Sequence, residues 1–195
     1  MSKASSHDSD SAFTLLKGAI GEVEGVFSPS TFQDLEHICE KLSKAKSVVC
    51  YGVGREGLVM KSLTMRLMHA GIHSYFVGDM NVPPVGNKDL FLVSAGPGHF
   101  STVEALSKVA SESGSEVVTF TAQKNSVFKV PNQYIVNIPA RTMANDLDKN
   151  VTQVLPMGSL YEVALFLYFE ILILHLRDYL KESANSMRER HTNLE

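Results

Sequence analysis

The sequence predicts an α/β fold in which helices cover both faces of a mainly parallel, five-stranded sheet, a three-layer sandwich. Five short apolar runs alternate along the chain with longer segments of helical periodicity. The connections between successive runs are helices or crossover segments, which is what parallel strands require. A chain of 195 residues, 44% hydrophobic and 20% charged, is also typical of one soluble globular domain.

The N-terminal part of the chain is predicted to be helical after a short lead. Residues 1–11 are polar and rich in serine, and we expect them to be disordered, with residues 12–195 forming a single domain. Apolar residues recur at spacings of three and four over residues 12–27, which predicts a first helix. Ser28 and Pro29 are typical of a helix cap followed by a first-turn proline, and a second helix is expected to end near Lys44.

The strands and the later helices are predicted from the same patterns. Short apolar runs bounded by glycine or polar residues predict strands over residues 47–51, 74–77, 89–94, 116–121 and 134–138. Helical periodicity predicts helices over residues 56–70, 101–113, 158–181 and 184–191. Residues 140–154 are polar and have no clear period, which indicates a loop.

The helix over residues 158–181 is apolar around most of its circumference, so it should be buried on all sides. A chain of this size has difficulty burying such a helix alone. We therefore expect a homo-oligomer, a dimer or a tetramer, built partly on this helix. The alternative is that the helix lies deep within one subunit. Its longest run without a charge, residues 163–169, is far shorter than the roughly 20 residues that span a bilayer.

The composition argues against several classes of partner and location. The 18 basic and 21 acidic residues give a net charge of −3, which argues against nucleic acid as the main partner. Cys39 and Cys50 are too few for a disulfide-stapled secreted fold and are expected to be buried thiols. No apolar stretch follows a basic cluster at the N-terminus, so a signal peptide is not expected. We predict a cytoplasmic protein with no membrane partner.

A glycine-rich turn follows the first predicted strand and opens the next helix. Residues 52–57, GVGREG, match the GxGxxG pattern in the strand-to-helix context that dinucleotide binding requires. Asp79 lies 22 residues beyond Gly57, near where such a fold places the acid that binds ribose. A nicotinamide-dependent oxidoreductase is therefore one hypothesis that the pattern permits.

A second loop, residues 94–102 (SAGPGHFST), follows the third strand and also leads into a helix. If the strand order is 2-1-3-4-5, strands one and three are neighbours, and both loops flank the crevice where such sheets bind ligands. Two helix N-termini, together with the hydroxyls of Ser94, Ser101 and Thr102, would then favour the binding of a single phosphate group. The alternative is that these residues only cap helices and form turns.

Four segments of the chain carry a family resemblance: residues 52–55 (GVGR), 65–71 (MRLMHAG), 155–162 (LPMGSLYE) and 190–195 (RHTNLE). Together they resemble the sugar isomerase (SIS) domain, and more closely its 6-phospho-3-hexuloisomerase branch. The resemblance implies a parallel sheet of flavodoxin-like order 2-1-3-4-5 and a tetramer. It also implies conversion of 3-hexulose 6-phosphate to fructose 6-phosphate, without a metal or an organic cofactor. Because SIS folds also serve as sensors, the alternative is a non-catalytic module that binds a phosphosugar.

Two positions depart from the usual pattern of this family. The residue after the loop arginine is usually serine, whereas this chain has Glu56. The phosphate loop is usually a compact Ser-Gly-Ser-Gly-x-Thr segment, whereas residues 94–102 include Pro97, which lacks a backbone donor. A carboxylate at position 56 would repel phosphate unless it turns away or pairs with Arg55.

The expected chemistry, carbonyl migration, needs a base beside the carbonyl and a donor to the developing enediolate. Glu162 is the best base, and the resemblance favours this role over that of a helix-capping carboxylate. The resemblance also suggests that the C-terminal tail brings His191 to an active site, either its own or that of a neighbouring subunit. His191 would act there as a proton carrier. The alternative is that His191 is a solvated terminal residue. His69 either lines the cleft or simply packs.

The phosphosugar-binding candidates lie in the two loops. Arg55 is the expected clamp, since a guanidinium presents a planar fork of donors, and His99 could add positive charge. Lys149 is a weaker candidate for covering the site. The full predicted binding set is Gly52, Gly54, Arg55, Glu56, Ser94, Gly96, Gly98, His99, Ser101 and Thr102. We expect no metal site, because no His or Cys pair has convincing ligand spacing.

Overall fold

A computed structural model describes residues 5–145 and 153–194, and its centre is a five-stranded sheet of order β2-β1-β3-β4-β5. All four neighbouring pairs are parallel. The strands are β1 (Ser47–Tyr51), β2 (Ser74–Phe76), β3 (Asp89–Ser94), β4 (Glu116–Thr121) and β5 (Gln133–Asn137). The predicted strand order is confirmed. The strands β1, β3 and β4 have the predicted limits. The strand β2 ends one residue earlier than predicted, and β5 begins and ends one residue earlier.

Over the described residues, six α-helices accompany the sheet: α1 (Ser5–Glu24), α2 (Leu35–Lys44), α3 (Gly54–His69), α4 (Ser101–Glu112), α5 (Ser159–Tyr179) and α6 (Ala184–Glu189). The first helix begins at Ser5, within the segment expected to be disordered up to residue 11. Once a helix has nucleated in a periodic segment, each added residue contributes a hydrogen bond, so a polar lead can extend it.

The single helix predicted after Pro29 is divided into a 3-10 helix, Pro29–Phe32, and α2. The hydroxyl of Thr31 accepts a hydrogen bond from the Ser28 N–H at 3.1 Å, which closes the first turn on itself. Asp34 stands at the cap of α2, where its carboxylate accepts a hydrogen bond from the Tyr134 hydroxyl at 2.7 Å. The hydrogen bonds of Thr31 and of Asp34 therefore mark where the 3-10 helix begins and where α2 begins.

The two faces of the sheet carry different layers. Leu90 and Leu92 of β3 point into a core formed with α1, α2, α3 and α5. Phe91 and Val93 of the same strand point into a second core, formed with α4 and loop residues beyond β2 and β4. This alternation follows from the two-residue period of a strand, and it places α3 and α4 on opposite faces.

The long helix α5 is a core helix with one exposed side. Nine of its side chains are buried, including Tyr168 and Leu172, and Cys39 of α2 lies in the same core as a free thiol. Within the described residues α5 alone is long and apolar enough to span a membrane, but half of its most apolar window is buried. This is the burial of a core helix in a soluble protein. Its exposed large hydrophobic residues are Val163, Phe166, Leu167, Ile171, Leu174 and Tyr179.

Candidate active site

The site begins at the glycine turn between β1 and α3. A Cβ added to Gly57 would lie 2.5 Å from the carbonyl oxygen of Gly52, so these two backbones approach as closely as only glycine permits. The chain therefore turns sharply from the carboxyl end of β1 into α3. As a result, Arg55 and Glu56 occupy the first turn of α3 at the edge of the sheet where parallel folds bind ligands.

A cleft of about 790 Å³ lies at this edge, between the glycine turn and the start of α5. Its walls are largely apolar, and the charged residues that line it within the described part of the chain are two glutamates and one arginine. The lining residues are Val53, Gly54, Arg55, Glu56, Pro97, Phe100, Thr142, Met143, Ala144, Pro156, Met157, Gly158, Ser159, Tyr161 and Glu162.

The predicted base and the predicted clamp are in direct contact in this cleft. Arg55 Nε lies 3.0 Å from Glu162 Oε2, and a second guanidinium nitrogen donates to the hydroxyl of Ser159 at 3.0 Å. The left-handed backbone of Gly158, with φ of +80°, starts α5 so that Ser159 and Glu162 share its first turn. The side chain of Glu162 is 14% exposed, whereas that of Arg55 is 59% exposed.

The carboxylate of Glu162 is largely enclosed and paired, not solvated. Burial raises the pKa of its carboxyl above the ordinary value, and the Arg55 guanidinium opposes that rise. Among the described residues, Glu162 Oε2 has the ion pair but no aligned hydrogen-bond donor.

Glu56 turns inward and does not pair with Arg55. Its Oε2 accepts hydrogen bonds from the Ser94 hydroxyl at 2.5 Å and from the Gly96 N–H at 3.0 Å. The Tyr161 hydroxyl lies 3.2 Å from Ser94 Oγ and completes the buried cluster. Burial raises the pKa of the Glu56 carboxyl; the two hydrogen bonds oppose the rise, and nearby Glu162 adds to it.

The second loop contributes its apolar residues to the cleft rather than its predicted donors. Gly98 is left-handed, with φ of +93°, and packs against Ser126 of the loop after β4. His99 Nε2 lies 2.7 Å from a carboxylate oxygen of Glu104, and both side chains are exposed. Ser101 and Thr102 are exposed at the start of α4 and do not line the cleft.

The two candidate histidines lie elsewhere within the chain. Their rings are stacked, with centroids 5.1 Å apart, and His69 stands at the C-terminal end of α3, about 21 Å along that helix from Arg55. A second cavity of about 310 Å³ lies beside them. Its lining includes Arg66, which pairs with Glu170 at 3.2 Å. One chain thus brings Arg55, Glu56 and Glu162 together, but not the histidines.

Several cleft residues have no counterpart among the sequence-based candidates. Ser159 could have been found, because it lies three residues before Glu162 and so on the same helix face. Tyr161 is a buried tyrosine, and such a residue needs a partner for its hydroxyl, but the sequence does not identify Ser94 as that partner.

Lys149 lies outside the described residues. Within those residues, no group of three or more His, Cys, Asp or Glu could hold a metal ion.

Comparison with curated proteins gives several relatives over most of the chain. A protein of Mycobacterium gastri, 3-hexulose-6-phosphate isomerase, is 33% identical over 144 residues, 74% of this chain and 71% of its own. The protein of the same name from Methylomonas aminofaciens is 32% identical over 144 residues, 74% of this chain and 78% of its own. No family model matches the chain.

Solved structures share the fold. A protein of Methanococcus jannaschii, for which a molecular function of 3-hexulose-6-phosphate isomerase was inferred, has a TM-score of 0.78 at 22% identity and covers 92% of this chain and 98% of its own. An E. coli protein solved in complex with a sugar phosphate has a TM-score of 0.77 at 19% identity and covers 96% of this chain and 99% of its own. With the relatives above 30% identity, these findings settle the family: the chain belongs to the 3-hexulose-6-phosphate isomerase family of SIS-fold proteins.

Proposed function

We propose that this chain is a phosphosugar isomerase that converts 3-hexulose 6-phosphate to fructose 6-phosphate. The names of its relatives from M. gastri and M. aminofaciens support the choice of substrate. The observation that carries the chemistry is the enclosed Glu162 carboxylate in the wall of the cleft, held 3.0 Å from the Arg55 guanidinium. The ligand bound to the E. coli neighbour supports a sugar phosphate as the class of ligand.

The proposed reaction moves the carbonyl from C3 to C2. Glu162 removes the proton on C2, the electron pair forms a C2–C3 double bond, and the former carbonyl oxygen on C3 becomes an enediolate oxygen. The Arg55 guanidinium, 3.0 Å from Glu162, stabilises that negative charge. Glu162 then returns the proton to C3 while a proton passes from O2 to O3, which leaves the carbonyl at C2. Atoms and electrons balance within the sugar.

The base assignment predicts the behaviour of one variant. Glu162→Gln removes the proton acceptor but keeps the size of the side chain, so turnover should fall by at least about 100-fold, as expected when a general base is lost. Binding of the sugar phosphate should change little. The measurement is formation of fructose 6-phosphate from 3-hexulose 6-phosphate made in situ, together with calorimetric titration of fructose 6-phosphate.

Glu170→Gln is the matched control, since Glu170 lies two turns further along α5 and pairs with Arg66 outside the cleft. This control should retain turnover. Intact turnover in Glu162→Gln would contradict the base assignment. No turnover in the folded unaltered protein, together with sugar phosphate binding, would favour the sensing role instead.

We also propose that the chain is a cytoplasmic homotetramer. The helices α1 and α5 pack against each other, and both carry exposed apolar residues, which in α1 include Phe13, Leu16 and Ile20. An apolar surface formed by two adjacent helices favours association with other copies of the chain.

Since His191 lies far from Glu162 within one chain, its proposed role as proton carrier requires a neighbouring copy. We propose no metal and no organic cofactor.

A further inference from the structure

At the carboxyl end of β3, two hydrogen-bond donors are occupied by a carboxylate of the protein itself. The Ser94 hydroxyl and the Gly96 N–H both donate to Glu56 Oε2, at 2.5 and 3.0 Å. They lie between β1 and β3, where helices leave on opposite faces of the sheet and where parallel folds bind ligands. The donors that would hold a ligand anion at this position therefore already bind the Glu56 carboxyl group.

The space around this carboxylate is filled. Glu56 is 6% exposed, Tyr161 is 1% exposed and Ser94 is not exposed at all. A Cβ added to Gly96 would lie 2.6 Å from the Tyr161 ring and 2.9 Å from Glu56 Oε1. A phosphate that used the same two donors would have to replace the Glu56 carboxylate rather than lie beside it.

The charges nearby do not favour a second anion either. Among the described residues no ion pair joins Glu56 to a basic side chain, because the adjacent Arg55 pairs with Glu162 and with the Ser159 hydroxyl. Glu162 is itself a carboxylate within electrostatic range of Glu56. A phosphate dianion near Ser94 would meet two glutamates, and like charges brought together in an enclosed site repel strongly.

We propose that Glu56 is a specificity-determining residue that competes with the substrate phosphate for the Ser94 hydroxyl and the Gly96 N–H. The carboxylate must leave these donors before a phosphate can take them, and this requirement weakens phosphate binding. The inference rests on the proposed function for the identity of the substrate. The competition itself rests on the contacts of Glu56.

The test is calorimetric titration of inorganic phosphate into the unaltered protein, Glu56→Ser and Glu56→Gln. Glu56→Ser vacates the donors and should lower the Kd for phosphate by at least about tenfold, because it removes a like charge from the site. Glu56→Gln removes the charge but keeps the volume, so its Kd should fall by less. Glu112→Ser and Glu112→Gln are matched controls at the exposed end of α4 and should leave the Kd unchanged.

An unchanged or higher Kd in Glu56→Ser, or no detectable phosphate binding in any variant, would overturn the inference. If Glu56→Ser does not fold, Glu56→Gln decides, since it preserves the packing; no gain in its affinity would count against the competition. Turnover of 3-hexulose 6-phosphate is measured on the same proteins. Tighter phosphate binding without turnover supports the competition and rejects the proposed function, whereas turnover without tighter binding rejects the competition alone.

Discussion

Two glutamates in the same cleft have different neighbours. Glu162 faces a guanidinium and keeps one oxygen without an aligned donor. Glu56 receives two hydrogen bonds from the β3 loop and has no basic partner among the described residues. Burial raises the pKa of both carboxyls. The roles proposed for Glu162 and Glu56 therefore rest on their partners rather than on the residue type.

Arg55 should influence the pH dependence of turnover through the pKa of Glu162. A base must be ionised, so turnover is lost as the pH falls through the pKa of Glu162. Burial raises that pKa and Arg55 opposes the rise, so Arg55→Ala should move the acid limb of the pH–rate profile to higher pH. It should also reduce kcat/KM about 100-fold, because a donor to the enediolate is lost.

The measurement is the pH dependence of kcat/KM for Arg55→Ala and for Arg55→Lys. The lysine variant keeps the charge but loses the planar fork, so its acid limb should lie near that of the unaltered protein. An acid limb that stays in place or moves to lower pH in Arg55→Ala would refute the electrostatic coupling of these two residues.

Two short turns between elements place Arg55 and Glu162, the proposed catalytic groups. The turn from β1 into α3 is possible because Gly52 and Gly57 have no side chains where their backbones meet. The turn into α5 uses left-handed backbone at Met157, with φ of +56°, and at Gly158, with φ of +80°. These turns direct the first turns of α3 and α5 at each other, which is why Arg55 reaches Glu162.

Gly57→Ala tests the first of these turns. The added methyl carbon would lie 2.5 Å from the Gly52 carbonyl oxygen, and backbone atoms cannot move aside as a flexible side chain can. We expect a loss of about 1–3 kcal/mol in the free energy of unfolding, the usual range for overpacking. Urea denaturation measures it.

Gly21→Ala is the matched control, because the added Cβ has nothing within 4 Å in α1. Since alanine is the better helix former, this variant should be more stable by about 0.5–1 kcal/mol. Equal stability of Gly57→Ala and the unaltered protein would show that the close approach is not needed.

Across the molecule, the proposed catalytic groups lie in two places, one beside the start of α3 and the other beside its end. Glu162 opens α5 beside the first turn of α3, while His69 and His191 lie where α3 ends. The tail that carries His191 is held there by Arg190, which donates to the His69 carbonyl oxygen at 2.9 Å and to Glu182 at 2.8 Å. Glu162 and His191 could therefore act on one substrate only between two copies of the chain.

This arrangement predicts complementation between inactive variants. Glu162→Gln and His191→Ala should each be inactive alone. After denaturation together and refolding, about a quarter of the sites should regain both groups, because each site draws Glu162 from one subunit and His191 from another. The isomerisation assay measures the recovered turnover.

A mixture of Glu162→Gln with Glu162→Ala is the control and should stay inactive. If the first mixture also stays inactive although the two variants assemble together, His191 does not complete the site of a neighbouring copy. Full turnover of His191→Ala by itself would remove the histidine from the mechanism.

Local apolar runs and the rules that connect parallel strands predict the layers of the fold, and they predict the limits of β1, β3 and β4 to the residue. The strand order and the choice of Glu162 as base rest instead on the family resemblance of four sequence segments. Where the side chains point depends on the folded structure. Glu56 turns inward because donors about 40 residues away, Ser94 and Gly96, lie within its reach, and no local pattern encodes a partner so distant in the chain. The position of His69 likewise depends on the length and direction of a packed helix, which spacing along the sequence does not reveal.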